Sequence, residues 1–204
     1  MTQITTGIRS VLSHPMVYSA LQTLMGAHAV RSALIGAVRP KPGMDILDIG
    51  CGPADILEYL PNTNYWGFDI SAPYIEQARS RFGNRGNFQC KVLTNSDLQQ
   101  LPKIDVVLAI GVLHHLDDDT AHSLLELAHR ALKGGGRLIT LDPCFEVGQH
   151  PIARFLISRD RGQNVRNKDE YAQLASGVFT DCRVEVRHKT GIPYTHCIME
   201  CTRT

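Results

Sequence analysis

The run Leu47-Asp48-Ile49-Gly50-Cys51-Gly52-Pro53-Ala54-Asp55-Ile56 combines an apolar stretch, an acidic residue near its end, two closely spaced glycines and an apolar restart. A buried strand, a tight turn and the start of a helix follow from that order. Glycine can turn sharply and lets another group approach the backbone, because it has no Cβ. Such a turn is where a chain presses its backbone against a small ligand, and the helix start beyond it supplies unpaired N–H groups. A dinucleotide site of the nicotinamide type uses G-x-G-x-x-G to seat a pyrophosphate. Here the last position of that pattern is Asp55, and Asp48 stands two residues before the first glycine. Two carboxylates beside a phosphate repel it. They suit a ligand with a cationic amino acid group and a ribose.

S-adenosylmethionine (SAM) is such a ligand, with an α-ammonium, a sulfonium and no phosphate. Asp48-Ile49-Gly50-Cys51-Gly52 resembles the first motif of class I SAM-dependent methyltransferases, D/E-x-G-x-G-x-G, with Ala54 in place of the third glycine. Asp69 follows Asp48 by 21 residues, at the end of the next apolar run. An acidic side chain there accepts hydrogen bonds from ribose hydroxyls in adenosyl-binding doubly wound folds. Trp66-Gly67-Phe68-Asp69-Ile70-Ser71 is similar to the family's G-x-D-x-S, which places Ile70 on the adenine. Ser96-Asp97-Leu98-Gln99-Gln100-Leu101-Pro102 resembles its G-D-A-x-x-L-P segment, with Ser96 for glycine and Leu98 for alanine. Ile110-Gly111-Val112-Leu113-His114-His115-Leu116, followed by Leu132-Lys133-Gly134-Gly135-Gly136-Arg137-Leu138, is similar to the family's "VLHHL … LKPGGRL". The ordered set spans roughly Pro42 to Asp142. It implies cofactor contacts from Asp48, Gly50, Cys51, Gly52, Asp69, Ile70, Asp97, Leu98 and the Ile110 carbonyl, and S-adenosylhomocysteine as product.

Methyl transfer needs nucleophile and methyl held at attack distance with water excluded. A base is needed only when the acceptor carries a proton of high pKa. His115 is the candidate base and His114 a wall of the acceptor pocket, since imidazole titrates near neutrality. Tyr18, His150 and Arg154 are the other acceptor-side candidates. Arg154, Arg159, Arg161 and Arg166 together offer positive charge to an anionic acceptor. Asp142-Pro143-Cys144-Phe145 resembles motifs of DNA-methylating enzymes, but those follow the fourth strand and this one follows the fifth.

The elements needed to position these residues are legible. A helix is expected from Met16 to Val38, stopped by Pro40 and Pro42-Gly43. Strands are expected at Met44–Ile49, Tyr65–Asp69, Asn87–Val92, Ile104–Ile110 and Gly136–Asp142. Helices are expected at Asp55–Leu60, at Pro73–Phe82, and after Asp117, with Lys133-Gly134 as a basic last turn and C′ glycine. Two more helices, Ile152–Ser158 and Lys168–Ser176, precede strands at Arg183–His188 and Thr195–Thr202. This pattern predicts an α/β fold: a doubly wound, seven-stranded, mostly parallel Rossmann-like sheet ending in an antiparallel hairpin. One domain is expected over residues 1–204. It divides into an N-terminal helical cap (1–40), a cofactor-binding core (42–142) and substrate-side helices with the terminal hairpin (143–204).

Composition bounds the partners. With 21 Lys+Arg against 20 Asp+Glu, the net charge is +1, too balanced for a broad nucleic-acid footprint. The longest strongly apolar run, Val106 to Leu113, is far short of the ~20 residues a membrane span needs. Residues Met1 to Ser13 do not resemble a signal peptide. Six cysteines without a C-x-x-C pair suggest reduced, buried thiols in a cytoplasmic protein. Nine histidines without zinc spacing suggest no metal. The leading expectation is methyl transfer from SAM to a small-molecule acceptor. The alternatives are aminopropyl transfer from decarboxylated SAM, which usually brings an acidic polyamine pocket, and a SAM-binding module that acts by protein contact.

Overall fold

The structure is a computed structural model that describes residues 27–160, 162–188 and 193–204. Helix α1 (Ala27–Val38) leads into β1 (Asp45–Ile49), a 3₁₀ turn (Asp55–Tyr59), β2 (Asn64–Asp69), α2 (Ala72–Phe82) and β3 (Asn87–Cys90). The short α3 (Asn95–Leu98), β4 (Ile104–Ile110), a 3₁₀ turn (Leu113–His115), α4 (Asp118–Ala131) and β5 (Leu132–Pro143) follow. The chain then forms α5 (Pro151–Ser158), α6 (Lys168–Ser176), β6 (Asp181–His188) and β7 (Thr195–Thr202).

The sheet order is β3-β2-β1-β4-β5-β7-β6. Strands β3 to β5 are parallel, and β7 runs antiparallel to both β5 and β6. The direction of winding reverses between β1 and β4. In open α/β sheets that switch point opens a crevice beyond the strand ends, where ligands bind. Alternate residues of the central strands supply both layers of the core. Leu47, Ile49 and Val107 pack with Leu125 and Tyr171 under α4 and α6, while Ile46, Val106 and Leu108 pack with Leu34, Ile75 and Ala78 under α1 and α2. A sheet covered on both faces accounts for the nearly continuous apolar runs of β1 and β4.

Helix α4 starts as its sequence implies, with the Asp117 carboxylate accepting from the Thr120 N–H at 2.8 Å. Its end corrects the expected C′ glycine at Gly134. The helix stops at Ala131, and Leu132 is already extended (φ −64°, ψ 148°) because it pairs with Ile104 of β4. The three glycines lie inside β5, where the register against β4 shifts between Ile104 and Val106. A Cβ at Gly136 would stand 2.9 Å from the Ile104 carbonyl oxygen, so close strand approach selects glycine there. The expected helix after Gly52 is a 3₁₀ turn. The helix α3 was not expected. Among the described residues, no helix is long and apolar enough to cross a membrane. Tyr18, Arg161 and the start of the expected first helix lie outside the described residues.

Candidate cofactor crevice and acceptor side

The loop leaving β1 is held in an unusual backbone shape. Gly50 (φ 73°), Gly52 (φ 53°) and Ala54 (φ 58°) all lie in the left-handed region. At Gly50 the constraint is double, because a Cβ would meet Val112 Cγ2 at 2.7 Å. Ala54 instead carries its Cβ in the left-handed region, fully buried against the α2 side of the core.

The backbone donors of this loop are spent internally. Gly50 and Cys51 N–H both donate to the Phe68 carbonyl (2.7 and 3.0 Å), and Ala54 N–H donates to the Cys51 carbonyl at 2.9 Å. Gly52 N–H donates to Asp69 Oδ2 at 2.9 Å, and Pro53 has no N–H. From Gly50 to Ala54 no N–H remains to cradle a phosphate. The unpaired N–H groups are expected one step further on, at the helix start, and the glycine turn before it sharpens the choice of ligand. A phosphate loop works through free backbone donors, and between Gly50 and Ala54 they are all used.

What the loop offers is carboxylate. Asp48 is buried, with Oδ2 accepting from the Tyr65 hydroxyl at 2.6 Å. Its Oδ1 is buried without a hydrogen-bond partner among the described residues. Burial pushes the Asp48 carboxyl up to about 7; the Asp69 charge adds to this and the Tyr65 hydrogen bond opposes it. A buried carboxylate oxygen with no partner is costly, and a ligand cation would relieve it. Asp69, half-buried at the end of β2, also accepts from Ser71 N–H through Oδ1 at 2.7 Å. Each oxygen keeps a lone pair for a further donor. Beside it Ile70 is 54% exposed, a large apolar side chain left uncovered at the crevice mouth.

Asp97 is the third residue of α3 and closes a capping box with Thr94, whose N–H and hydroxyl it accepts at 2.9 and 2.7 Å. Lys91 also pairs with it. Its carboxylate is therefore an organising group of the β3–α3 loop, with Leu98 half-buried behind it. Ile110, at the end of β4, pairs with Leu141 of β5, and Gly111 (φ 68°) turns the chain there and donates to the Leu141 carbonyl at 2.7 Å.

His114 is buried and gripped from both sides. Nδ1 lies 2.8 Å from Asp142 Oδ1, and Nε2 lies 3.4 Å from Asp160 Oδ1. The His114 N–H also donates to Asp142, at 3.2 Å. Burial works to lower the imidazole pKa, but the two carboxylates outweigh it and hold it at about 9. In turn His114, with the Tyr194 hydroxyl donating to Asp160 Oδ2 at 2.7 Å, outweighs burial and holds Asp160 well below the usual carboxylate range. Asp142, Asp160 and Tyr194 are members of the site that sequence reasoning missed. Asp142-Pro143 was noticed only as a motif of other enzymes, and nothing local marks Asp160 or Tyr194.

The segment from Asp160 to Asn167 is fastened to this clasp. Asn164 N–H donates to the His114 carbonyl at 3.0 Å. Gly162 packs so closely that a Cβ would stand 2.1 Å from His114 Cδ2. Arg166 is buried and donates to the carbonyls of Leu113 (3.0 Å) and Leu116 (2.8 Å) and to Asp118 (2.6 Å). That removes Arg166 from the arginines expected to meet an anionic acceptor. Arg154 and Arg159 are exposed and lie over the Phe145 and Phe155 rings. His150 caps α5, its Nδ1 accepting from Ile152 N–H at 3.2 Å. His115 is half-buried, its ring centroid 4.0 Å from that of His114. A cavity of about 460 Å³ beside α5 is lined by Phe145, Glu146, Val147, Arg154, Asn167 and Lys168, among others. Among the described residues, no three His, Cys, Asp or Glu side chains gather as a metal site.

Residues 47–138 match the family model described as a methyltransferase domain. An uncharacterized 37.1 kDa protein in transposon TN4556 of Streptomyces fradiae is 34% identical over 132 residues, 60% of this chain and 37% of that protein. An O-methyltransferase of Pyrenophora dematioidea is 28% identical over 178 residues, covering 81% of this chain and 60% of that one. The chain thus spans about two-fifths to three-fifths of the length of these relatives. In fold it resembles a phosphoethanolamine-type N-methyltransferase of Haemonchus contortus, solved with phosphomonomethylethanolamine and S-adenosylhomocysteine. The TM-score is 0.70 at 15% identity, covering 96% of this chain and 59% of that chain.

Proposed function

We propose that this chain, whose residues 47–138 match the methyltransferase-domain model, is a class I SAM-dependent methyltransferase and transfers a methyl group from SAM to a small-molecule acceptor by in-line displacement. One observation carries the reading. The glycine loop has no free N–H from Gly50 to Ala54, and the buried Asp48 Oδ1 beside it lacks a partner among the described residues. That loop suits an ammonium and a ribose and offers nothing to a diphosphate.

The donor set fits SAM residue by residue. Asp48, with the Ile110 carbonyl, would take the α-ammonium. Asp69 would accept from the ribose hydroxyls with the lone pairs its loop bonds leave. Gly50, Cys51 and Gly52 supply a backbone surface without bulk, and Ile70 and Leu98 an apolar one for adenine, with Asp97 holding the adjoining loop. SAM brings an electrophilic methyl already activated by its sulfonium. The protein's share is orientation and exclusion of water. His114 is not the base, because both ring nitrogens face carboxylates and the ring keeps its proton near neutrality. Its work is to fix the turn after β4. His115, next to it, is the residue to receive an acceptor proton where one must leave. The acceptor would enter between that turn and α5, where the cavity at Phe145 and the exposed Ile152 and Phe155 offer apolar contact. The relative named as an O-methyltransferase supports a small molecule as the acceptor. We read the chain as one domain working in the cytoplasm.

Calorimetric titration with SAM, S-adenosylhomocysteine and NAD tests the cofactor. Saturable binding of the first two and none of NAD is expected; NAD binding without SAM binding would end the reading. Incubating a metabolite extract with isotope-labelled SAM and following the label by mass spectrometry tests the acceptor. Label in a small molecule supports the reading, and label confined to RNA or protein refutes it.

A further inference from the structure

Cys182 and Cys201 stand directly opposite each other in the antiparallel register of β6 and β7. Directly opposite residues have Cβ atoms ~4.5–5.5 Å apart on the same face, close to the ~3.5–4.5 Å that a disulfide spans. Their sulfurs are already in contact at 2.8 Å, the Cys201 thiol donating to Cys182. The two differ in access. Strand β6 is the last strand of the sheet, and Cys182 on it is half-buried. Cys201 is fully buried on β7, between β6 and β5. Cys182 is therefore the more exposed of the two, and Cys201 lies behind it.

We propose that Cys182 and Cys201 form a dithiol–disulfide site that reacts with low-molecular-weight disulfides of the glutathione type. This inference does not rest on the methyl-transfer reading. The Cys182 thiolate attacks one sulfur of the small disulfide, forming a mixed disulfide and expelling one thiolate. Cys201 then gives up its proton, attacks the Cys182 sulfur and expels the second thiolate. The pair is oxidised by two electrons, and the small disulfide is reduced to two thiols. The hydrogen bond from Cys201 lowers the Cys182 thiol pKa, and the same contact, with burial, raises that of Cys201. Those directions match an attacking and a resolving thiol. A second pair provides an internal control. The Cys144 and Cys197 thiols also interact, but both are buried, at 0% and 2% exposure. The proposed bond lies at the far end of β7 from the crevice, since Cys201 pairs with Leu138 whereas Cys197 pairs with Asp142.

The experiment uses the full chain carrying Cys90→Ser, which removes the exposed cysteine. The folded protein is incubated with glutathione disulfide, its remaining thiols are alkylated after denaturation, and it is digested without reduction. Cleavage after Arg183 isolates Cys182, and cleavage after Glu200 separates Cys201 from Cys197. The expected product is a Cys182–Cys201 linked peptide pair, lighter by two hydrogens than the sum of its free-thiol peptides, with Cys144 and Cys197 alkylated. Adding Cys201→Ser should stop the reaction at a glutathione adduct on Cys182, and Cys182→Ser should leave Cys201 unmodified. Alkylation of both Cys182 and Cys201 in the parent, a linkage between any other cysteines, or a glutathione adduct on Cys201 in the Cys182→Ser chain overturns the proposal. If either serine variant fails to fold, the parent map decides alone.

Discussion

Replacing Asp48 with asparagine separates what the buried carboxylate costs the empty fold from what it gains with a ligand. The wild-type carboxyl goes from 3.8 in the unfolded chain to about 7 in the fold, chiefly through burial. The folded state holds the extra proton between those values, so stability falls as pH rises from about 4 to 7 and levels off above. Fully developed, that shift corresponds to roughly 4 kcal/mol. With allowance for relaxation, Asp48→Asn should raise the ligand-free stability by about 1–4 kcal/mol near pH 8 and change it little near pH 4. Binding should move the other way. A cationic ligand needs the ionised carboxylate, so SAM affinity of the wild type should increase with pH through about 7, with proton release below it. The variant should lose that dependence and bind roughly one to two orders of magnitude more weakly near pH 8, the worth of a hydrogen bond to a charged group. Urea denaturation at both pH values, and calorimetry in buffers of different ionisation enthalpy, measure these effects. A variant that is less stable near pH 8 and binds SAM as the wild type does would refute the assignment of Asp48 to the ligand ammonium.

Three further substitutions probe the rest of the site. Asp69→Ala should weaken SAM binding by about 1–3 kcal/mol in calorimetry, through lost ribose contacts and a loosened Gly52 turn; unchanged affinity would remove the ribose assignment. Asp142→Asn leaves His114 charged with one partner fewer and should cost about 3–5 kcal/mol in denaturant unfolding near neutrality. The His114 contribution is fully present below pH 6.5 and is lost as pH rises through about 9, so the deficit should shrink above that value. Gly162→Ala drives a Cβ into the His114 ring and carbonyl (2.1 and 2.6 Å) and should cost about 1–3 kcal/mol. Because Gly162 lies on the acceptor side, S-adenosylhomocysteine affinity should be unaffected; a matching loss of that affinity would show that the two sides are coupled.

Local physics made much of this molecule legible. β1 and β4 are apolar on both faces because helices cover both faces, and their runs announced a parallel sheet. Gly50, Gly52, Asp48 and Asp69 fall within one short stretch and its neighbouring strand, so spacing alone pointed to them. Gly134 misled because a basic turn followed by glycine usually ends a helix; pairing of Leu132 with Ile104 ended it earlier. The His114 clasp could not be read, since it joins residues 28, 46 and 80 positions away from His114, at Asp142, Asp160 and Tyr194. Arg166 looked like a surface charge in a polar segment. Only the tertiary structure reveals that it is spent on the Leu113 and Leu116 carbonyls.

The saturated glycine turn also constrains inhibitor chemistry. Compounds borrowed from kinase or dehydrogenase programmes, built around phosphate mimics, would bring a negative charge to a surface with no donors to spare between Gly50 and Ala54. A neutral adenosine scaffold ending in a primary amine matches the same surface, and its potency should track the ionisation of that amine more closely than any added hydrogen-bond acceptor.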